Sequence, residues 1–269
     1  MRLWVLGSGS RGNAIVLECD GSRVLVDAGF PPRVLAARLA AIGIAPESIE
    51  ALLITHEHTD HVKGACAGAK RWGWAVYATH GTVSGCADLV AADVRTFDAG
   101  GTVTLGRMDV RSVRTPHDAA ESVALVATSH TSGTRVGIAY DLGQATPAVR
   151  TALRDLDVLV LESNHDDGML NAGPYPPSVR ERIASRFGHL SNRDASQLAR
   201  ESVHPGLGHV VLAHLSEKCN DPRLACSTVA GSLTGTRFRG ALSAAAQDRV
   251  VGPFAPRVRR TVAVQLELL

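Results

Sequence analysis

The chain has no C-x-x-C pair, and its five cysteines (Cys19, Cys66, Cys86, Cys219 and Cys226) are odd in number. This argues against a disulfide framework, so a reducing, cytoplasmic location is expected. Without paired cysteines a closed zinc–thiolate site is not indicated either. Aromatic residues are only 4% of 269 positions, so the core must be built from Val, Leu, Ile and Ala. No apolar run approaches the roughly 20 residues that span a bilayer, and no membrane partner is expected. The start of the chain, Met1-Arg2-Leu3-Trp4-Val5-Leu6-Gly7, lacks a secretory signal pattern and reads as a strand entering a turn. Neither charge sign dominates, since 28 Lys and Arg oppose 26 Asp and Glu. That excludes a basic nucleic-acid coat but not a polyanionic substrate, because a metal and a few Arg can concentrate a positive field. No serine or cysteine nucleophile motif, P-loop or Rossmann fingerprint is present.

What is present is a chain 45% hydrophobic with 26 glycines, enough for a full core and many tight turns. It is read as one domain over residues 1–269. Turn signals and β-type runs predict strands at 2–6, 14–19, 23–27, 51–54, 75–78, 121–129, 134–140, 158–162, 210–213 and 260–268. Apolar and polar residues alternate between 94 and 114, notably over 103–105 and 108–113, as in a β-hairpin. Helices are predicted at 34–42, 63–72, 147–153, 178–186, 193–202 and 222–233, with another starting over 80–87. A meander, inserted helices, then repeated strands and helices fit a layered αββα sandwich better than a doubly wound parallel sheet. Residues 234–260 are rich in Gly, Pro and Arg and receive no element.

The densest chemistry is Thr55-His56-Glu57-His58-Thr59-Asp60-His61, which follows the apolar run Ala51-Leu52-Leu53-Ile54. His56, His58, Asp60 and His61 place four ligand-type side chains within six positions where a buried strand ends. Imidazole with carboxylate suits Zn, Mn or Fe. A merely polar surface turn is the bland alternative. Three later segments repeat the form of an apolar run, one ligand-type residue, then a turn. They carry His117, Asp141 and His214. Each alone reads equally as a cap or a satisfied core residue. Their joint occurrence downstream of the cluster is harder to explain that way.

With Asp27 in Val26-Asp27-Ala28-Gly29, these residues stand in the order found in the metallo-β-lactamase superfamily, which the sequence resembles over most of its length. The resemblance implies an α/β fold, a four-layer αβ/βα sandwich with two divalent metal ions (Zn or Mn, with Fe also admitted) at one edge. His56, His58 and His117 would hold one ion. Asp60, His61 and His214 would hold the other, with Asp141 bridging and Asp27 orienting the cluster. Further strings narrow the branch: Gly7-Ser8-Gly9-Ser10-Arg11-Gly12-Asn13, Thr115-Pro116-His117-Asp118-Ala119, Leu161-Glu162-Ser163-Asn164-His165-Asp166, Gly188-His189-Leu190-Ser191-Asn192 and His214-Leu215-Ser216. Together they resemble the YycJ/WalJ type, a group of bacterial exonuclease-like proteins. One departure is Asn220-Asp221-Pro222, where that group has two Asn before the Pro.

The implied reaction is hydrolysis of a nucleic-acid phosphodiester, DNA ahead of RNA, as a 5′-to-3′ exonuclease using a metal-bridging hydroxide. Asp60 and His189 are the candidate catalytic residues. His189 would protonate the leaving oxygen or position phosphate, as a His does at this place in the related tRNase Z group. Its alternative is a helix-terminal His bonded to backbone. His165 is either structural or substrate-facing. The glycine loop either offers backbone N–H groups to phosphate, with Ser8, Ser10 and Asn13 adding contacts, or is simply a hairpin turn. A small-molecule hydrolase of the same fold, acting on a cyclic phosphodiester, thioester or lactam, is the competing reading.

Overall fold

The first turn signals act as predicted. In the computed structural model, which describes residues 1–256, strands β1 (Arg2–Gly7), β2 (Ala14–Cys19) and β3 (Ser22–Val26) form an antiparallel meander. Asp20 and Gly21 both take positive φ (49° and 91°) between β2 and β3, matching the twist of a two-residue hairpin. The chain then changes period. Helix α1 (Pro32–Ala40), strand β4 (Ala51–Leu53), helices α2 (Thr59–Val62) and α3 (Ala65–Trp72), strand β5 (Ala75–Thr79), helices α4 (His80–Ser84) and α5 (Ala87–Val90), and strand β6 (Val94–Phe97) follow. Strands β4, β5 and β6 join β3 in parallel.

The second sheet starts with the hairpin of β7 (Thr102–Leu105) and β8 (Met108–Arg114), followed by antiparallel β9 (Val123–Ser129) and β10 (Arg135–Ala139). Helix α6 (Pro147–Ala152) leads to β11 (Val158–Glu162). Helices α7 (Asp167–Ala172), α8 (Pro177–Ile183) and α9 (Asn192–Glu201) lead to β12 (His209–Ala213). Helix α10 (Pro222–Leu233) leads to β13 (Ala241–Ala244). The last of the described strands, β14 (Val251–Phe254), returns to the first sheet against β1. Among the described residues the two sheets therefore have seven strands each, in the orders β14-β1-β2-β3-β4-β5-β6 and β13-β12-β11-β10-β9-β8-β7.

Both faces of both sheets are covered, which explains why the central strands read as continuous apolar runs. In β11, Val158 and Val160 point between the sheets, with Leu3, Leu17, Leu125 and Val211. Leu159 and Leu161 point the other way, against Leu198 and Val229 of the helices. On the far side, Leu25 and Leu52 pack under Leu35, Leu39, Trp72 and Trp74. The result is the four-layer αβ/βα sandwich.

Most predicted elements lie within three residues of the observed ones. The exceptions have local causes. Residues 94–97 do not belong to the hairpin but form β6 in the other sheet, after which Gly100 (φ 102°) helps turn the chain across. The helix expected over 80–87 breaks at Gly85-Cys86, where Cys86 is extended. The one over 63–72 begins after Gly64, whose Cβ, if present, would meet the Phe30 carbonyl at 2.1 Å. Residues 234–256 supply β13 and β14, each too short and too poor in large apolar residues to show a period. Helix α7 was not foreseen. The strand predicted over 260–268 lies outside the described residues. No described helix is long and apolar enough to cross a membrane.

Leu17 is fully buried between the sheets. Leu17→Ala is expected to cost about 2–5 kcal/mol by transfer and cavity terms. Urea denaturation should show a lower midpoint with an unchanged slope.

Candidate metal centre

Every candidate ligand sits just after a strand of the sandwich, at one edge where the loops of both sheets meet. The loop after β4 carries His56 and His58 and enters α2, whose first turn holds Asp60 and His61. Backbone bonds from Asn13 N–H to the Asp60 carbonyl and from Ala28 N–H to the His61 carbonyl, both 2.8 Å, clamp this turn against the loops after β1 and β3. The approach is so close that a Cβ at Gly29 would lie 1.7 Å from the Asp60 carbonyl oxygen, so only glycine fits. His117 follows β8, Asp141 follows β10, and His214 follows β12.

Three of the five described non-glycine residues with positive φ belong to this edge: Asp27 (58°), Asp141 (53°) and His214 (52°). The left-handed conformation is unfavourable for a side chain and persists only where surrounding contacts over-determine it. Here it turns each side chain inward as the strand ends.

The seven residues form two groups. Nitrogens of His56, His58 and His117 lie within 4.8 Å of one another, as do ligand atoms of Asp60, His61 and His214. Asp141 lies between them, its carboxylate 3.0 Å from His61 Nε2, 3.5 Å from His214 Nδ1 and 3.9 Å from His117 Nε2. His117 Nε2 approaches His58 Nδ1 at 3.3 Å, and His214 Nε2 approaches Asp60 Oδ2 at 3.3 Å.

The donor chemistry fits divalent cations. His56 Nε2 is buried with no hydrogen-bond partner among the described residues, a costly arrangement unless something coordinates it. Burial and the neighbouring His61 hold the His56 imidazole well below its ordinary pKa, in the neutral form that binds metals. Burial would also lower His61 and His214. The carboxylates outweigh it: Asp27, Asp141 and Asp60 hold His61 well above its usual range, and Asp141 with Asp60 and Glu162 pushes His214 up to about 10. Burial likewise opposes the ionised forms of Asp60 and Asp141, yet the surrounding imidazoles keep both carboxyls below their ordinary range. The second group is a site whose field demands positive charge.

The rings are fixed from behind. Asp27, fully buried, accepts from Thr55 N–H and Thr55 Oγ1 (2.8 Å each) and from Tyr140 Oη (2.5 Å), and its Oδ2 lies 2.8 Å from His61 Nδ1. His117 Nδ1 is 3.0 Å from the Gly188 carbonyl, and His56 Nδ1 is 3.1 Å from Thr55 Oγ1. Such partners set tautomer and orientation.

His189 stands beside both groups. Its Nδ1 is 2.7 Å from Glu162 Oε1, and its ring stacks at 5.2 Å on His214. Glu162 is fully buried at the end of β11, and its Oε2 accepts from Leu142 N–H (2.9 Å) and Leu190 N–H (3.2 Å). Burial alone would raise Glu162, but His189 outweighs it and the carboxyl falls to about 2. Burial would lower His189, and Glu162 raises it above the ordinary imidazole range. Glu162 was not singled out from the sequence. Its signal was there: an acid ending the apolar run Val158-Leu159-Val160-Leu161, the same form that marked the ligands. Tyr140 carried no such signal.

The glycine loop packs against the second ligand group. Ser8 and Asn13, expected as substrate contacts, are 4% and 0% exposed and face inward. Ser8 Oγ accepts from His214 N–H (2.8 Å) and donates to Asn13 Oδ1 (2.9 Å), while Asn13 Nδ2 donates to Asp60 Oδ2 (3.2 Å). The N–H groups of Ser8, Gly9, Arg11 and Gly12 are all spent within the protein, so the loop braces the second group and has little left for phosphate. Ser10 is exposed. His165 is 1% exposed, its backbone pairs with Ser191 in a bridge, and its Nδ1 is buried with no hydrogen-bond partner among the described residues. Asn220 is buried and donates to the Ser163 and Asn164 carbonyls (2.8 and 3.0 Å). Asp221, the departure noted above, caps α10 by accepting from Arg223 and Leu224 N–H, a role Asp fills as well as Asn.

A family model described as a beta-lactamase superfamily domain matches residues 22–214. Exodeoxyribonuclease YycJ of Bacillus anthracis is 32% identical over 239 residues, covering 87% of this chain and 89% of that protein. Exodeoxyribonuclease WalJ of Streptococcus pneumoniae is 30% identical over 235 residues, covering 85% and 87%. The metallo-beta-lactamase fold protein YhfI from Bacillus subtilis shares the fold, with a TM-score of 0.69 at 17% identity over 93% of this chain and 99% of that one.

Asp27→Asn replaces an acceptor-only carboxylate by an amide and misorients His61. Metal affinity, read by competition with a chelator, is expected to fall about 10–100-fold, with the far-ultraviolet circular dichroism unchanged. Wild-type affinity in this variant would remove Asp27 from the site.

Proposed function

The chain belongs to the metallo-β-lactamase superfamily, in its YycJ/WalJ branch, and on that premise we propose that it is a 5′-to-3′ DNA exonuclease working with two divalent metal ions. As a member it is a metal-dependent hydrolase. The observation that carries the finer reading is the pair of ligand groups with Asp141 between them and the His189–Glu162 pair at their side. His56, His58 and His117 would hold one ion, Asp60, His61 and His214 the other, and Asp141 would bridge. The donor set suits Zn, Mn or Fe. When bound, such ions acidify water and draw charge from phosphoryl oxygens.

The chain's own residues do the rest. Glu162 occupies His189 Nδ1, which leaves Nε2 as the atom able to give a proton to the leaving oxygen. His189 and Asp60 keep 22% and 23% of their side chains exposed, whereas His61 and Asp141 are closed off. A substrate can therefore touch both, as it can the half-buried His58. DNA as substrate is supported by the two relatives named exodeoxyribonucleases. A net charge near zero does not oppose it, because the ions supply local positive field.

The test is metal-loaded protein on end-labelled DNA and RNA, run beside a lactam, a thioester and bis-p-nitrophenyl phosphate. Nucleotides should leave from the 5′ end of DNA. Release from RNA alone, or cleavage of only the lactam or thioester, would overturn the reading. Chelation should abolish activity, and Mn or Zn should restore it. His189→Ala should lower kcat by about 10²–10⁴-fold with metal content unchanged.

A further inference from the structure

Two loops, residues 115–120 and 187–189, line two cavities beside the metal centre. The bond from Asp118 N–H to the Phe187 carbonyl, 2.9 Å, ties these loops together. The larger cavity, about 440 Å³, includes His117 and Phe187. The smaller, about 210 Å³, has His189 as one wall, Tyr175, Val179 and Ile183 as apolar walls, and the ion pair of Arg182 with Asp118 (2.6 Å) as a polar one.

We infer that the smaller cavity is a nucleobase subsite, in which Tyr175 stacks on the base of the nucleotide carrying the leaving oxygen. The inference rests on the nuclease reading above and adds a substrate contact to it. His189 lines the cavity and reaches Glu162 and Asp141 behind it. An occupant of the cavity would therefore lie beside His189, within reach of the proton it carries. A base has apolar faces and polar edges, and the walls match both: an aromatic ring with two aliphatic side chains for the faces, a guanidinium and a carboxylate for the edges. Stacking on an aromatic ring accepts any base, which suits an enzyme that removes nucleotides regardless of sequence.

The chain also stiffens this residue. Tyr175 lies in Gly173-Pro174-Tyr175-Pro176-Pro177, immediately before α8. A residue before proline is biased to extended backbone conformations, so little backbone freedom is lost when a base arrives. Lys218 Nζ lies over the Tyr175 ring, 5.4 Å from its centroid, in a cation–π contact.

The experiment measures KM and kcat for wild type, Tyr175→Ala and Tyr175→Phe on two oligonucleotides, one normal and one abasic at the terminal unit. On the normal strand Tyr175→Ala should raise KM about tenfold, and Tyr175→Phe should match wild type. On the abasic strand all three should be alike, which also shows that Tyr175→Ala is folded. Equal losses on both strands, or no loss on either, would overturn the subsite while leaving the nuclease reading intact. Wild-type protein inert on both strands would defeat the nuclease reading and the subsite with it.

Discussion

The buried carboxylate of Asp27 ties the two sheets together at the edge where the ligands meet. It leaves β3 in the left-handed conformation, takes both donors of Thr55 after β4, holds His61 in α2, and reaches Tyr140 at the end of β10 in the other sheet. A fully desolvated charge is costly by itself. Four partners offset that cost, and they do so only when both sheets and the α2 turn are in place. Cooperative polar networks of this kind fix one arrangement rather than several. The orientation of His61, and through it the second ligand group, follows from the register of the whole sandwich.

The same logic recurs around His214. Ser8 holds its backbone N–H, Asn164 donates to its carbonyl, and Asn220 secures Asn164 and Ser163 in turn. Residues from the first turn of the chain and from the loops after β11 and β12 therefore converge on one imidazole. Asn13 completes the link to Asp60. The first group is held differently, by the Gly188 carbonyl behind His117 and by Thr55 behind His56. Gly188 adjoins His189, so the loop that would supply the proton also orients a ligand.

The strands and helices that reveal themselves in sequence are those with enough residues to show a period: β2, β11 and α10 begin and end where their residues predict. Strands β13 and β14 do not, because four residues against an edge need little apolar content. Strand β6 joins β5 and not the hairpin its alternation suggests, since alternation reports that a segment is extended and not which sheet it joins. Among site residues, ligands of unusual type at strand ends were legible. Partners such as Tyr140 were not, because a tyrosine in an apolar run is indistinguishable from core.

The sequence by itself determined the chemistry available, namely imidazoles and carboxylates placed where buried runs stop, and, through the order of those residues, the family and its layered fold. Tertiary structure alone decided which way the side chains face. It buried Ser8, Asn13 and His165, brought Glu162 to His189, and set Tyr175 in the wall of a cavity that His189 also lines. The physical reason is that residue type fixes what a group can bond, whereas burial and direction depend on chain segments far apart in sequence.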